Sequence, residues 1–454
     1  MAVPRRTLVG LLLAAFVLSY ATSASALPAF ARKYGLRCSA CHEAWPMLNY
    51  FGQKFKDNGY QLMNDRDAPI WQNPSYWPVT FRITPLWHRE STNKVAVDTS
   101  LTTTAEQRIT SHGFDLTGLD FHAGGTLEKN LSFYVLPSSN SAGQFHFETV
   151  MGRLDNLFGS SWLNLKFGKF ELDNLISEKR ILTLTNISGV YQTYHFQPVG
   201  DTNFYGRIGD NQLGAEYMGH SLNDRTRVSA AILSSNDGQV GLPSSNAYTG
   251  FFAASHAFDV GKLGTDRVGF YAMVGEAPTY FLTTAGGAVA TPFGNSSGQG
   301  NKGFSREGFV GLFYFGPLDF LVVTQHGSDS AYFGTNTAAN VALPAGARAP
   351  SWNGYMVETH YVYSPQLIFI QRSEWERMSQ QACPIATCTV APMASDLGNI
   401  DMYTIGYRWY PIMTSRAGFA WHNEYSWLRT NGIAPISSTD VTSNSLLLGF
   451  DFDF

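Results

Sequence analysis

The C-terminal stretch LLLGFDFDF, residues 446–454, decides the fold class. In a β-strand, successive side chains point to opposite faces. Asp451 and Asp453 therefore share one face, and five apolar side chains share the other: Leu446, Leu448, Phe450, Phe452 and Phe454. The stretch predicts a strand with one polar and one apolar surface.

This terminal strand closes on Phe454 and resembles the recognition signal of bacterial outer-membrane barrels. A half-buried strand of a soluble sandwich is the alternative. From about residue 79 onward, similar alternating segments are separated by turn residues. The clearest hairpins pair 309–315 with 320–324, around a turn at 316–319, and 355–363 with 367–375, around a turn at 364–366.

Long polar stretches lie between these hairpins, notably 282–305, 330–352 and 379–399. Short turns that alternate with long loops are typical of an outer-membrane antiparallel β-barrel. Residues 78–454 are thus expected to form a porin-like transmembrane barrel of about 16 strands, with 14 to 18 acceptable. Its lumen would be wide enough for water or for a small plug.

Composition agrees with a β-rich exported protein, since charged residues make up 15% of the chain and aromatic residues 14%. Residues 1–26 are interpreted as a signal peptide, with cleavage before Leu27 and an uncleaved anchor as the alternative. Its removal leaves 29 basic against 35 acidic residues, so no nucleic-acid partner is expected. No later segment has about 18 unbroken apolar residues, so only a barrel could hold the chain in a membrane.

Residues 27–77 differ from the rest and are interpreted as a small, mostly helical c-type cytochrome module, ending in a linker over 71–78. Cys38, Cys41 and His42 form C-x-x-C-H, the haem attachment signature. The two thiols would hold one covalent haem c, and His42 would bind its iron. A redox-active or structural cysteine pair, or a zinc site, is the rival interpretation.

The second axial ligand of the iron is open, because methionine, histidine or water can occupy that position. Met63 is the expected ligand, since it is far enough along the chain to fold back over the haem. Met47 is expected on the proximal side. The alternatives are an open site, a later barrel histidine, or one of three nearer histidines: His88, His112 and His122.

Residues 27–60 resemble the N-terminal module of the fused monohaem cytochrome–porin family, the bacterial outer-membrane iron oxidases. The matching positions are Leu27-Pro28-Ala29-Phe30-Ala31-Arg32, Gly35, Cys38, Cys41-His42, Pro46, Leu48, Phe51-Gly52, Phe55-Lys56 and Gly59-Tyr60. The chain departs at Lys33-Tyr34, where the family usually has Gln-Thr. The haem positions are unaffected by that departure.

The resemblance implies an outer-membrane electron-transfer protein with Fe(II) oxidase activity. An extracellular donor, expected to be Fe(II), would pass electrons to a soluble periplasmic cytochrome c. Arg32, Lys54 or Lys56 could pair with haem propionates, although a solvated role is expected for each lysine. The alternatives are a haem-containing diffusion porin, another donor, outward electron flow, or a periplasmic haem enzyme.

Two further groups of residues lie in the barrel region. Cys383 and Cys388 are expected to form a small disulfide in an extracellular loop, with a metal or redox role as the alternative. Several polar side chains within strands are expected to face a polar, solvated lumen, where some could guide a metal cation. They are Glu358, His360, Arg372, Glu374, Arg408, His422 and Glu424.

Overall fold

Sixteen antiparallel strands close into a barrel, in which each strand pairs with its sequence neighbours and the last strand pairs with the first. The computed structural model describes residues 29–44, 47–62, 67, 69–72, 78–100, 103–139, 143–173, 194, 208, 211–235, 247–260, 265–278, 300–335, 337–383, 398–414, 417–431 and 440–453. The predicted signal peptide lies outside these residues. The predicted fold class and strand number are confirmed.

The barrel strands follow a short two-stranded ribbon, β1 (His42–Ala44) and β2 (Met47–Leu48). They are β3 (Val79–Ser100), β4 (Thr103–Glu128), β5 (Leu131–Ser139), β6 (Phe145–Leu154), β7 (Asn164–Glu171), β8 (Asn211–His220), β9 (Thr226–Ser234), β10 (Tyr248–Asp259), β11 (Thr265–Pro278), β12 (Asn301–Phe315), β13 (Leu318–Asp329), β14 (Ser351–Ser364), β15 (Leu367–Gln380), β16 (Asn399–Met413), β17 (Gly418–Asn431) and β18 (Val441–Asp453).

Period-two alternation separates an outer apolar face from an inner polar one. In β17, Trp421 is 44% exposed on the outside, whereas His422 is fully buried on the inside. In β18, Leu448 faces outward and Asp451 is 1% exposed inside, as the terminal stretch predicts. Because lipid offers the backbone no hydrogen bonds, a closed barrel with an apolar outside suits a membrane. This outer face contacts outer-membrane lipid.

The two rims differ as the sequence predicts. Most connections at one rim are short: 129–130, 221–225, 260–264, 316–317, 365–366 and 414–417. The longest connections all lie at the opposite rim, at 172–210, 279–300, 330–350 and 381–398. In barrels of this type the short turns face the periplasm and the long loops face the exterior.

Several predicted hairpin boundaries are wrong, because the strands extend further. Residues 301–305 belong to β12 rather than to a loop, and the first hairpin turns at 316–317 alone. Gly316 has φ +66°, a conformation that lets a strand reverse within two residues. Polar residues near a rim can occupy a strand, because water rather than lipid surrounds them there.

In its described residues the N-terminal module has three short α-helices, α1 (Ala29–Tyr34), α2 (Cys38–Cys41) and α3 (Tyr50–Asp57), and a 3-10 turn at Ile70–Gln72. A fourth, α4 (Ala331–Gly334), lies in the 330–350 connection. The two-stranded ribbon between α2 and α3 was not predicted. Among the described residues, no helix is both long and apolar enough to cross a membrane.

An aromatic cluster holds the module together. The rings of Phe30 and Tyr60 stack at 4.7 Å, and Phe55 meets Phe30 edge-on at 5.3 Å. Tyr134 of β5 lies 6.2 Å from Tyr60 and extends the cluster to the barrel wall. Phe51 shares α3 with Phe55 but is exposed, so only Phe55 joins this core.

Candidate cofactor site at the short-turn rim

The module occupies the barrel mouth at the short-turn rim. Gln61 Nε2 donates to the Lys129 carbonyl at 2.8 Å, and Tyr50 Oη donates to the Asn223 carbonyl at 3.1 Å. The Cys38 thiol approaches the Thr414 carbonyl at 3.7 Å. These three carbonyls belong to three different short turns. The predicted haem motif therefore lies on the periplasmic side.

The motif itself is one turn of helix followed by an extended residue. Helix α2 places Cys38 and Cys41 three residues apart, so both thiols lie on one side of the turn. His42 ends the helix with φ −120° and ψ 143° and begins the ribbon. Cys38 and Cys41 are both free thiols and are partly buried.

Asn49 ties this turn to helix α3. Its side-chain oxygen accepts from Gly52 N at 2.9 Å, which caps the helix, and its amide donates to the Ser39 and Ala40 carbonyls. Gly52 then packs directly over the Cys41 carbonyl. Asparagine and glycine at these positions hold the cysteine turn and α3 in one unit.

Replacing Gly52 by alanine should disturb the cysteine turn. The added Cβ would overlap the Cys41 carbonyl oxygen, and forcing an atom into a packed site costs about 1–3 kcal/mol. We expect a clear fall in covalent haem per barrel, measured by haem absorbance against protein mass. Gly152→Ala is the matched control, because its Cβ would have no neighbour within 4 Å. Equal haem content in the two variants would contradict this packing role.

Buried charges attach the module to the wall. Arg153 donates to the Lys56 and Asp57 carbonyls at 2.7 and 3.0 Å and pairs with Asp155 at 2.9 Å. Arg227 bridges Asp57, at 2.5 Å, and Asp224, at 2.6 Å. Each arginine thus joins a backbone or carboxylate of the module to a carboxylate of the barrel. These contacts fix the depth of the module in the lumen.

A large cavity opens beside the cysteine turn. It measures about 1730 Å³, including the part open to solvent, and both thiols and His42 line it. Its lining also includes aromatic and thioether side chains: Phe30, Tyr60, Tyr134, Met151 and Met218. Two thiols and an imidazole on one wall of a largely apolar cavity are the donor set that a covalent haem requires. The residues fit that group.

The thiols lack the environment of a redox-active pair. Burial, reinforced by the Asp453 charge, raises the pKa of Cys38 to about 12, and burial raises the pKa of Cys41 to about 11. Reactive cysteines instead have lowered pKa values beside positive charge. Both thiols are therefore protonated at neutral pH, which disfavours the thioredoxin-like alternative.

The candidates for the second haem ligand lie in different places in the structure. Met63 lies outside the described residues, and Met47 is buried against the barrel wall near Ile368 and Tyr410. His122 lines the cavity, and its Nδ1 is 2.5 Å from Tyr134 Oη. His88 instead contacts Ser445 at 2.8 Å, and His112 packs beside Trp87, outside the cavity.

The expectation of a solvated lysine is wrong for Lys56. Lys56 Nζ lies 3.0 Å from Glu171 Oε2 on β7, and both side chains are largely buried at the cavity wall. Arg32 donates to the Val79 carbonyl at the start of β3. Lys54 is partly buried on α3. Docking against the barrel wall, which is invisible in the sequence, gives Lys56 and Arg32 protein partners and partly buries both.

The predicted lumen residues do face inward, but they are not solvated. All seven are at most 2% exposed, because they pair with one another and with neighbouring strands. Arg372 pairs with Glu358 at 3.5 Å and with Glu374 at 2.6 Å. His422 lies 2.5 Å from Glu424, and Arg408 lies 3.9 Å from Asp451.

The sequence patterns did not single out two buried carboxyl groups near the motif, those of Glu43 and Asp319. Glu43 follows His42 directly and lines the cavity, and Asp319 opens β13 at the short-turn rim. Burial and the nearby Asp319 charge raise the pKa of Glu43 to about 8. The position of Glu43 directly after the haem motif was the one available signal.

Cys383, of the second cysteine pair, lies at the opposite rim. Cys383 is buried just beyond β15 and is disulfide-bonded. Cys388 lies outside the described residues, so the Cys383–Cys388 pairing stays a prediction.

The fold defines an outer-membrane barrel of the porin type, with a small module in its periplasmic mouth. No protein-family model matches the chain, and no curated protein matches it. Among solved structures it is similar to the outer membrane protein OmpT of Vibrio cholerae, with 11% identity, 83% of this chain and 99% of that chain covered, and a TM-score of 0.48.

It is also similar to an anion-selective porin from Comamonas acidovorans, with 11% identity, coverage of 83% and 99%, and a TM-score of 0.44. Pseudomonas putida OprB matches with 10% identity, coverage of 91% and 99%, and a TM-score of 0.44.

Proposed function

We propose that this barrel holds one covalent haem c at its periplasmic mouth and carries electrons from an extracellular donor, Fe(II), to a soluble periplasmic cytochrome. The observation that carries the proposal is the shared wall of Cys38, Cys41 and His42 beside a large apolar cavity. When bound, haem c supplies a one-electron couple, so each Fe(II) oxidised to Fe(III) delivers one electron for the periplasmic partner.

The chain's own residues would act as follows. Cys38 and Cys41 would tether the group, and His42 would bind its iron. Met63 remains the proposed second ligand, and His122 is the alternative that lines the cavity. The apolar wall around Phe30 and Tyr60 excludes water, which favours electron transfer over side reactions. The short-turn position brings the motif within reach of a periplasmic protein.

An open diffusion porin has less support. A water-filled channel leaves its lumen charges exposed, whereas Glu358, Arg372 and Arg408 are fully buried. The module and this network both occupy the lumen.

The absorption spectrum of the purified, detergent-extracted protein, before and after anaerobic Fe(II) addition, tests the proposal. We expect the reduced c-type bands to appear rapidly, since the haem would accept electrons from Fe(II). The variant with serine at both Cys38 and Cys41 is the control and should show no such bands. If dithionite reduces the haem and Fe(II) does not, iron is not the donor, and another reductant or outward flow must replace it.

A further inference from the structure

A second constellation lies next to the predicted haem ligand and has no part in holding the haem. One ligand atom from each of Glu43, Asp319 and His360 lies within 4.8 Å of the other two. Asp319 and His360 are direct cross-strand partners of β13 and β14, so the sheet register fixes them side by side on the lumen face. Glu43 comes from the module ribbon. Docking of the module therefore completes the group.

The local charge balance leaves room for a cation. Asp319 is 2% exposed, His360 is fully buried, and the Glu43 carboxyl group has Asp319 and the Tyr314 hydroxyl as its hydrogen-bonding neighbours. Among the described residues, neither Glu43 nor Asp319 forms an ion pair with lysine or arginine. His360 Nδ1 lies 2.5 Å from Asp319 Oδ1.

The surroundings of His360 match those of a metal ligand. Its Nε2 lies 2.7 Å from Glu358 Oε1, and Arg372 holds Glu358 from behind at 3.5 Å. Metal-binding histidines commonly use one nitrogen for the ion and direct the other to a carboxylate, which fixes the ring. Glu358 supplies that outer carboxylate, and Nδ1 points toward Asp319.

His422 shows what the same lumen looks like without a third ligand. It is also fully buried between two carboxylates, with Glu424 at 2.5 Å from Nε2 and Asp451 at 3.3 Å from Nδ1. Asp451, however, is also paired with Arg82 at 3.3 Å. The described residues place no further carboxylate or imidazole beside this pair that would complete a metal site. The presence of a third ligand therefore distinguishes the group of Glu43, Asp319 and His360, called the Glu43 group below, from the surroundings of His422.

We propose that Glu43, Asp319 and His360 bind one divalent first-row transition-metal cation, with water completing its coordination. Two carboxylate oxygens and one imidazole nitrogen suit Fe(II), Mn(II) and Zn(II). The site lies at the short-turn rim and includes the residue that follows His42. As a metal site it goes beyond the proposed function and does not depend on where Fe(II) is oxidised.

The test is equilibrium dialysis of the purified full-length protein against Zn(II), followed by metal analysis. Wild type should bind one more zinc equivalent than His360→Gln or Asp319→Asn, and His422→Gln should bind as wild type does. Replacing His360 or Asp319 should weaken zinc binding by more than about 100-fold. Loss of a group that only hydrogen-bonds to a metal ligand already weakens binding by about 10–100-fold. Glu358→Gln should fall within that smaller range.

The proposal is overturned if His360→Gln retains the zinc equivalent or if His422→Gln loses it too. A purely structural role for His360 would lower stability in His360→Gln while leaving the bound zinc unchanged. Haem content, measured on the same samples, keeps the two proposals apart. If the protein binds zinc but contains no haem, the metal site is supported and the electron-transfer function is contradicted. If it contains haem that Fe(II) reduces but binds no zinc equivalent, the electron-transfer function is supported and the metal site is contradicted.

Discussion

Replacing Cys38 and Cys41 together by serine abolishes covalent haem and leaves the barrel folded. In the proposed function the two thiols on the cavity wall are the attachment points, and serine cannot form the thioether bonds. Barrel stability comes from the closed ladder of sixteen strands, to which neither cysteine belongs. We expect no haem stain on a denaturing gel. Unheated samples should keep the migration of a folded barrel.

The double variant Cys383→Ser, Cys388→Ser is the matched control. It removes the other two cysteines of the chain, which are not in the proposed haem motif, and should retain its haem in full. If the Cys38→Ser, Cys41→Ser variant still carries haem after denaturation, the haem is attached elsewhere.

Replacing Arg227 by methionine should release the module from the lumen. The change leaves Asp57 and Asp224 buried without their bridging cation, and breaking a buried pair costs about 3–5 kcal/mol. We expect the midpoint of denaturant unfolding in detergent to fall and the module to become sensitive to protease. Arg227→Lys keeps the charge and should recover part of the loss.

Arg225→Met is the control, two residues away on the same rim. Arg225 is 45% exposed and pairs with the equally exposed Asp259, so its loss should cost at most about 1 kcal/mol. Equal effects of the Arg225 and Arg227 variants would mean that the buried bridge does not hold the module.

The barrel was predictable because lipid imposes one rule on every strand. Residues 446–454 alternate strictly, and the structure puts Leu448 outside and Asp451 inside. The strand number follows from length, since each crossing needs about 10 residues. The predicted strand boundaries near the rims were wrong, as at 301–305, because polar residues there are compatible with both a strand and a loop.

The site was predictable only where its residues are adjacent in sequence. Cys38, Cys41 and His42 form a local motif, and the structure adds only the cavity beside them. The Glu43 group could not be inferred, because it depends on how deep the module enters the lumen. That depth is set by pairs such as Asp57 with Arg227, which carry no sequence signature.

The mass of the purified wild-type protein, with peptide mapping, is the direct test for covalent haem. We expect a chain that begins at Leu27 and carries the mass of one haem, located on the peptide that contains Cys38 and Cys41. A protein of unmodified mass, with both thiols open to alkylation, would contradict it.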